Sequence, residues 1–226
     1  MHTRLDPRHA RSIVLSAPLL AALALALGGW LVASAFASAE VLSPQPLAAS
    51  LPAREAAPQA ASLALLFDPA VRHWQERIIA WSARFGLDPT LVATVMQIES
   101  CGDPGALSHS GAMGLFQVMP FHFLAGENGF DPEVNATRGL NYLQLGLKRG
   151  GGRPELALAG YNGGHSRIGQ AEELWPAETR RYVYWGTAIY EDARAGREVS
   201  TRLEEWRQAG GRRLCAQAAA ALGLAP

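Results

Sequence analysis

Glu99 is the side chain of this 226-residue sequence best placed to do acid–base chemistry. It follows an apolar segment, and a glycine-rich stretch that carries Ser108, Gly111, Gly114 and Gln117 comes after it. Apolar surroundings disfavour the charged form of a carboxyl group and therefore raise its pKa. A carboxyl group that keeps its proton near neutral pH can act as a general acid, which is what the cleavage of a glycosidic bond requires.

A helix that begins near Asp88 must position this carboxyl group. Asp88 is a good N-cap residue, and Pro89 fits the first helical position because its missing N–H would be unpaired there. Gly102 suits a helix stop because glycine adopts the left-handed conformation at low cost. Apolar residues recur at helical spacing between these signals, at Leu91, Val92, Val95, Met96 and Ile98. The pattern predicts that Glu99 lies in the last turn, where the helix dipole also disfavours an anion. The alternative is an exposed, solvated glutamate.

Three segments share a fixed order along the chain. They are IESCGDPGALSHSGAMGLFQVMP at 98–120, LAGYNGG at 158–164 and ETRRYV at 178–183. Together they closely resemble the motifs of the soluble-type lytic transglycosylases, a lysozyme-like family related to goose-type lysozyme. The resemblance covers roughly Phe67 to Tyr190. Phe116 and Gly160 depart from the family, which usually has Met and Ala there, but neither position supplies a proton or a charge.

The resemblance implies a role for each polar residue of these motifs. It makes Glu99 the single catalytic acid and base. It implies that the substrate is bound by Ser108, Gln117, Met119, Tyr161 and Glu178. Ser108 and Gln117 would line the cleft, and Met119 would contact a sugar near the scissile bond. Tyr161 would place its hydroxyl close to Glu99, and Glu178 would lie deeper in the groove.

Each of the five binding residues also has a purely structural interpretation. Ser108 could cap a turn, and Gln117 could satisfy backbone groups of the loop. Met119 and Tyr161 could belong to the core. Glu178 could be a charge at a helix N-terminus, where the dipole favours an anion.

The implied reaction is cleavage of the β-1,4 bond between N-acetylmuramic acid and N-acetylglucosamine of peptidoglycan. Glu99 would protonate the glycosidic oxygen and then accept the proton of the muramic 6-hydroxyl, which leaves a 1,6-anhydro end. The family needs no cofactor for this reaction. The histidines show no paired spacing typical of metal ligands, so we expect no metal site.

Two other functions stay open from the sequence. The first is a lysozyme-type hydrolase of the same bond, which usually needs a second carboxylate. The obvious local candidate, Asp103, lies in a Gly-Asp-Pro-Gly turn, where turn geometry alone accounts for an aspartate. The second is a non-catalytic, membrane-tethered peptidoglycan-binding protein. An acid in a costly apolar setting argues against it.

An uncharged segment rich in Leu and Ala runs from residue 12 to residue 39, after several arginines. It exceeds the roughly 20 residues that span a bilayer and the roughly 7–15 residues of a signal-peptide core. The preceding arginines orient the N-terminus toward the cytoplasm. We favour a retained transmembrane anchor over a signal peptide cleaved at Ala37-Ser38-Ala39. Both interpretations predict an extracytoplasmic enzyme that faces the cell wall.

The sequence divides into four predicted parts. Residues 1–39 form the membrane anchor or signal peptide, and residues 40–65 form an Ala/Pro-rich linker. Residues 66–194 form the catalytic domain, and residues 195–226 form a C-terminal helical extension. Helical periodicity recurs throughout the last two parts without a convincing alternating strand. The predicted fold is therefore mostly α, with a lysozyme-like catalytic domain.

Cysteine count and charge add two expectations. Cys101 and Cys215 are the two cysteines of an exported chain, which permits a disulfide that would clamp the C-terminal tail beside Glu99. Two free thiols are the alternative.

The 20 basic and 20 acidic side chains balance, which argues against nucleic-acid binding. The expected partners are peptidoglycan glycan strands and, through the N-terminal helix, the membrane.

Overall fold

Helices account for most of the regular structure in the computed structural model, which describes residues 62–224. The α-helices are α1 (Pro69–Arg72), α2 (Gln75–Phe85), α3 (Pro89–Glu99), α4 (Pro132–Arg149), α5 (Pro154–Gly163), α6 (Ala177–Arg194), α7 (Thr201–Trp206) and α8 (Arg212–Ala221). Short 3-10 turns lie at Pro120–His122, His165–Arg167 and Glu172–Leu174. The described part of the chain is thus mostly α, as the sequence predicted.

The predicted membrane segment, residues 12–39, and most of the predicted linker lie outside the described residues. Within residues 62–224 no helix combines the length and the apolar character needed to cross a bilayer.

Helix α3 is the central helix of this body and carries Glu99 at its end. It begins as predicted, because the Asp88 side chain accepts a hydrogen bond from the backbone N–H of Thr90 and Pro89 occupies the first turn. Every residue from Leu91 to Gln97 is buried, which is typical of a helix surrounded by others. Helices α2 and α6 pack against it, and α4, α5 and α6 pack on one another in chain order.

The exit from α3 differs in detail from the sequence prediction. The helix ends at Glu99, and the first left-handed residue is Cys101 (φ 52°), followed by Gly102 (φ 90°). A Cβ atom on Gly102 would lie 2.6 Å from the carbonyl oxygen of Ala70. Gly102 is therefore needed for close packing against α1 as well as for its backbone conformation.

A disulfide joins Cys101 to Cys215 of α8, with the two Cα atoms 5.0 Å apart. Gln97 is fully buried beside it, and its side-chain amide donates to the Sγ atoms of both cysteines. The carbonyl oxygen of that amide accepts from the backbone N–H of Asp68. The end of α3, the start of α1 and the C-terminal helix are thus held at one point.

The C-terminal helices pack on the same body rather than standing apart from it. Leu203 and Trp206 of α7 are buried, as are Cys215 and Ala218 of α8. A π-helical segment, Arg207–Gly211, joins the two helices and is interrupted at Gly210, whose φ is 130°.

The loop between α3 and α4 contains the glycine-rich motif and is fixed by backbone contacts. Its extended pairing is limited to two isolated antiparallel bridges, Leu107 with Met113 and Met113 with Val118. Asn135 of α4 is fully buried beneath it and donates to the carbonyl oxygens of Met113 and Gly129. Its own carbonyl oxygen accepts from the backbone N–H of Phe116. One side chain on α4 thus fixes the loop at three points.

Asn135→Ala should destabilise the protein by about 3 kcal/mol or more, because it leaves buried backbone groups of the loop without partners. Chemical denaturation followed by circular dichroism measures this change. Asn128→Ala is the matched control, since Asn128 makes one exposed hydrogen bond, to the N–H of Phe130. Equal losses in the two variants would show that Asn135 does not hold the loop.

Candidate active site

Glu99 lies at the edge of a pocket of about 220 Å³, where the end of α3 meets the first turns of α6 and the end of α5. Glu99 as a residue is partly exposed, but its carboxyl group is largely surrounded by protein. The other lining residues are Ile98, Asn162, Glu178, Arg181, Tyr182 and Trp185. A substrate in the pocket would therefore reach the carboxyl group directly.

The pKa of Glu99 is raised from 4.5 to about 8, as its apolar helix face predicted. Burial is the largest cause, because it removes water from the charged form. A hydrogen bond from Tyr182 acts in the opposite direction, and the negative charge of Glu178 adds to the increase. The group thus keeps its proton at neutral pH.

Tyr182 is the residue that hydrogen-bonds the carboxyl group, whereas the resemblance implied for Tyr161 only a hydroxyl close to Glu99. The Tyr182 hydroxyl donates to Oε1 of Glu99 at 2.8 Å. Tyr161 donates instead to the carbonyl oxygen of Phe116 at 2.7 Å, although it lies near enough for the Glu99 charge to raise its pKa further. Tyr182 could have been found from the spacing, since it lies four residues after Glu178 on the same face of α6.

Both tyrosines stay protonated because burial, the largest cause, raises the pKa of each well above 10. Each hydroxyl can therefore act only as a neutral donor or acceptor near neutral pH. Tyr182 holds one oxygen of Glu99. The other oxygen, Oε2, has no hydrogen-bond partner among residues 62–224 and is the one free to carry the transferable proton.

Gln117 and Ser108 bond to their own loop. The Gln117 amide donates to the carbonyl oxygens of Ala106 and Gly114, and its φ of 44° is unusual for a residue with a side chain. The Ser108 hydroxyl accepts from the N–H of Ala112. These are the structural roles that the sequence left as alternatives. Gln117 also lines a pocket, so contact with a ligand remains compatible with its position.

A second pocket, of about 280 Å³, adjoins the first because Asn162 lines both. Met119 and Tyr161 lie in this second pocket with Phe121, which is 75% exposed. Met119 is partly exposed there rather than belonging to the buried core. The two adjoining pockets bring together Glu99, Gln117, Met119, Tyr161 and Glu178; Ser108 lines neither.

Glu178 and Asp103 differ in their relation to the candidate acid. Glu178 is exposed near the start of α6 and lines the pocket of Glu99. Asp103 accepts from the N–H of Gly105 in its turn and does not line that pocket. Of the two, only Glu178 is placed to influence chemistry at Glu99.

A larger cavity, of about 730 Å³, lies on another face of α6. Its lining includes Arg153, Trp175, Tyr184 and Arg202, and it contains none of the site residues that the sequence pointed to. Size alone therefore does not identify the reactive site here. The pocket of Glu99 is smaller but holds the carboxyl group with the strongly raised pKa.

Asp68, Cys101 and Cys215 place three potential metal-ligand atoms within 4.8 Å of one another. The two sulfur atoms are bonded to each other, so neither is a thiolate that could bind a metal ion. Among residues 62–224 this cluster is therefore a structural junction rather than a metal centre.

Comparison with known proteins finds matches to transglycosylases. The family model described as "Transglycosylase SLT domain" matches residues 76–182. A "Transglycosylase" of Enterobacteria phage PRD1 is 41% identical over 111 residues, which cover 48% of this chain and 40% of the phage protein. A "Membrane-bound lytic murein transglycosylase C" of Yersinia pestis (strain Pestoides F) is 33% identical over 107 residues, which cover 38% of this chain and 30% of the relative. The chain thus spans less than half of either relative.

Two solved structures are also similar. An inactive mutant of lytic transglycosylase Slt from Pseudomonas aeruginosa is 24% identical, covers 53% of this chain and 24% of its own, and has a TM-score of 0.44. The 70 kDa soluble lytic transglycosylase from Escherichia coli is 20% identical, with coverages of 62% and 25% and a TM-score of 0.39.

Glu99→Gln should make the protein more stable than wild type, and the gain should grow from pH 5 to pH 8. The folded wild type keeps the Glu99 proton up to about pH 8, whereas the unfolded chain loses it near pH 4.5. The stabilising contribution of the protonated group is complete below pH 4.5 and is lost as the pH rises to 8. The stability difference, measured by urea denaturation, should rise by at most about 1.4 kcal/mol per pH unit. A difference independent of pH would contradict the raised pKa.

Proposed function

We propose that this chain, whose residues 76–182 match the transglycosylase SLT domain, is a peptidoglycan lytic transglycosylase. It would cleave the β-1,4 bond between N-acetylmuramic acid and N-acetylglucosamine and leave 1,6-anhydromuramic ends. The observation that carries this proposal is the protonated carboxyl group of Glu99 at the edge of an open pocket. A general acid of this kind is needed because the glycosidic oxygen leaves poorly unless it is protonated.

The proposed reaction uses one carboxyl group twice. Glu99 gives its proton to the glycosidic oxygen, and the bond from that oxygen to C1 of the muramic residue breaks. The 6-hydroxyl oxygen of the same residue bonds to C1, and its proton passes to the Glu99 carboxylate. The products are a free 4-hydroxyl on N-acetylglucosamine and a 1,6-anhydro ring, and no water is consumed. Glu99 ends protonated, ready for the next cycle.

Tyr182 supports both halves of this cycle. Its hydrogen bond to Oε1 fixes the carboxyl group while the other oxygen exchanges the proton. The same bond stabilises the carboxylate formed after the first transfer, because a donor to the charged form lowers its pKa. Neither Tyr182 nor Tyr161 has to ionise, which agrees with their raised pKa values.

A lysozyme-type hydrolase is the second candidate, and one observation favours it. Glu178 lies in the same pocket as Glu99, so a second carboxylate is present that could activate water or attack the sugar. Against this role, Glu178 is exposed and makes no hydrogen bond within residues 62–224 that would orient it. We therefore assign Glu178 an electrostatic role, raising the pKa of Glu99.

We propose that the enzyme is anchored to the membrane by residues 12–39 and acts outside the cytoplasm. The support is the uncharged sequence after the N-terminal arginines. The disulfide between Cys101 and Cys215 agrees with an oxidising compartment. Residues 40–65 would form the linker and 66–194 the catalytic domain, with residues 195–226 as a helical extension packed on it.

Purified protein should release muropeptides with 1,6-anhydro ends from peptidoglycan, and Glu99→Gln should lower the rate at least about a thousandfold because no acid remains. Mass spectrometry of the released fragments measures both results. Reducing ends would instead identify a hydrolase. A folded wild-type protein that binds glycan without releasing fragments would identify a binding protein.

Glu178→Gln should leave an active enzyme whose rate declines at a lower pH on the alkaline side. Removing the negative charge of Glu178 lowers the pKa of Glu99, so the protonated form is lost earlier as the pH rises. The rate of fragment release between pH 5 and pH 9 measures the shift. Complete loss of activity with intact folding would make Glu178 the second catalytic carboxylate of a hydrolase.

A further inference from the structure

Arg181 is a charged residue of the Glu99 pocket that the proposed reaction does not use. It lies three residues after Glu178 and four before Trp185, so the three side chains share one face of α6. All three line the pocket that contains Glu99. Arg181 is exposed to solvent at this position.

The guanidinium group of Arg181 is held against an aromatic ring. Its central carbon lies 6.0 Å from the centre of the Trp185 ring, within the range of a cation–π contact. No carboxylate of residues 62–224 lies within ion-pair distance of it, not even that of Glu178 on the next turn. Arg181 therefore places a positive charge in the Glu99 pocket without a carboxylate partner among residues 62–224.

The neighbouring Arg180 has a structural role and provides a comparison for Arg181. Arg180 donates to the backbone carbonyl oxygens of Glu173 and Trp175 and so holds the loop before α6. Arg181 makes no such bonds among the described residues. It is also absent from the groups that set the proton affinity of Glu99. Arg181 therefore neither holds the loop before α6 nor sets the pKa of Glu99.

We propose that Arg181, steadied by Trp185, binds a carboxylate of the substrate close to the scissile bond. This proposal rests on the proposed function, because the muramic residue carries a lactyl group. A substrate carboxylate near this residue can have either of two sources. When the glycan is bare the lactyl carboxylate itself is free, and when a peptide stem is attached the free carboxylates belong to the stem. A guanidinium group suits either source because it binds a carboxylate through two parallel hydrogen bonds.

Binding measured by calorimetry in a Glu99→Gln background, where no turnover occurs, tests the proposal. Three soluble tetrasaccharides separate the sources: a muropeptide with stems, the same glycan with the stems removed, and chitotetraose, which has no carboxylate. Arg181→Ala should weaken binding of at least one carboxylate-bearing ligand about tenfold and leave chitotetraose little changed. Arg181→Lys should recover part of the loss because the charge remains without the bidentate geometry.

The pattern of losses decides the source. A loss with the stem-bearing ligand alone places the contact at the stem, and a loss with the stem-free muramic ligand alone places it at the lactyl carboxylate. A loss with both muramic ligands shows that Arg181 reaches whichever carboxylate each of them carries. Equal losses with all three ligands, or none with any, would overturn the proposal. Arg213→Ala is the matched control, since Arg213 is an exposed arginine of α8 outside the pocket and should change nothing.

Failure of the proposed function gives a different result. In that case the wild type would release no fragments with 1,6-anhydro ends from peptidoglycan, a result that does not depend on the Arg181 variants. Circular dichroism of the Arg181 variants separates either result from unfolding, which an exposed side chain on α6 should not cause.

Discussion

Burial of one carboxyl group between two antiparallel helices determines the chemistry of this protein. Helix α3 ends at Glu99, and the first turns of α6 cover that end. Tyr182 bonds to Glu99 at one end of this helix pair, and Tyr190 bonds to the N-cap Asp88 at the other. The two tyrosines lie eight residues apart on α6, so they fix its register against α3. A shift of this register would move Tyr182 away from the carboxyl group and admit water to it.

The loop after Glu99 is held by hydrogen bonds from side chains to its backbone rather than by regular secondary structure. Ser100 donates to the carbonyl oxygen of Leu115 and accepts from the N–H of Gly102. Asn135 bonds to the same loop from α4, and a Cβ atom on Gly114 would lie 2.5 Å from the Asn135 amide. The glycine-rich motif is therefore packed closely against α4. Two of its polar side chains, Gln117 and Ser108, form hydrogen bonds with the backbone of the loop itself.

The sequence predicted a mostly helical fold because the signals of a helix are local. Asp88 and Asp131 cap α3 and α4, each followed by proline, and the buried face of α3 follows from its apolar run. The candidate acid and the direction of its pKa shift could be predicted for the same reason. The N-cap at Asp88 and the apolar positions up to Met96 already place Glu99 at the end of a helix with an apolar face.

The remaining features depend on residues far apart in the chain. Tyr182 lies 83 residues from Glu99. Asn135 lies 19 and 22 residues from Phe116 and Met113, two of the three loop residues to which it bonds. Nothing in the local sequence around Tyr161 indicated that its hydroxyl would donate to the carbonyl oxygen of Phe116. The close approach of Gly139 to Phe116 and Tyr161, which sets that geometry, is a property of the packed helices.

Direct titration of the Glu99 side-chain carboxyl carbon by carbon-13 NMR is the most decisive measurement. Comparison with the spectrum of the Glu99→Gln protein assigns the resonance. A midpoint near pH 8 is expected for a carboxyl group deprived of water between α3 and α6. A midpoint near pH 4.5 would show that water solvates the group, and the single-carboxyl mechanism would then lack its acid.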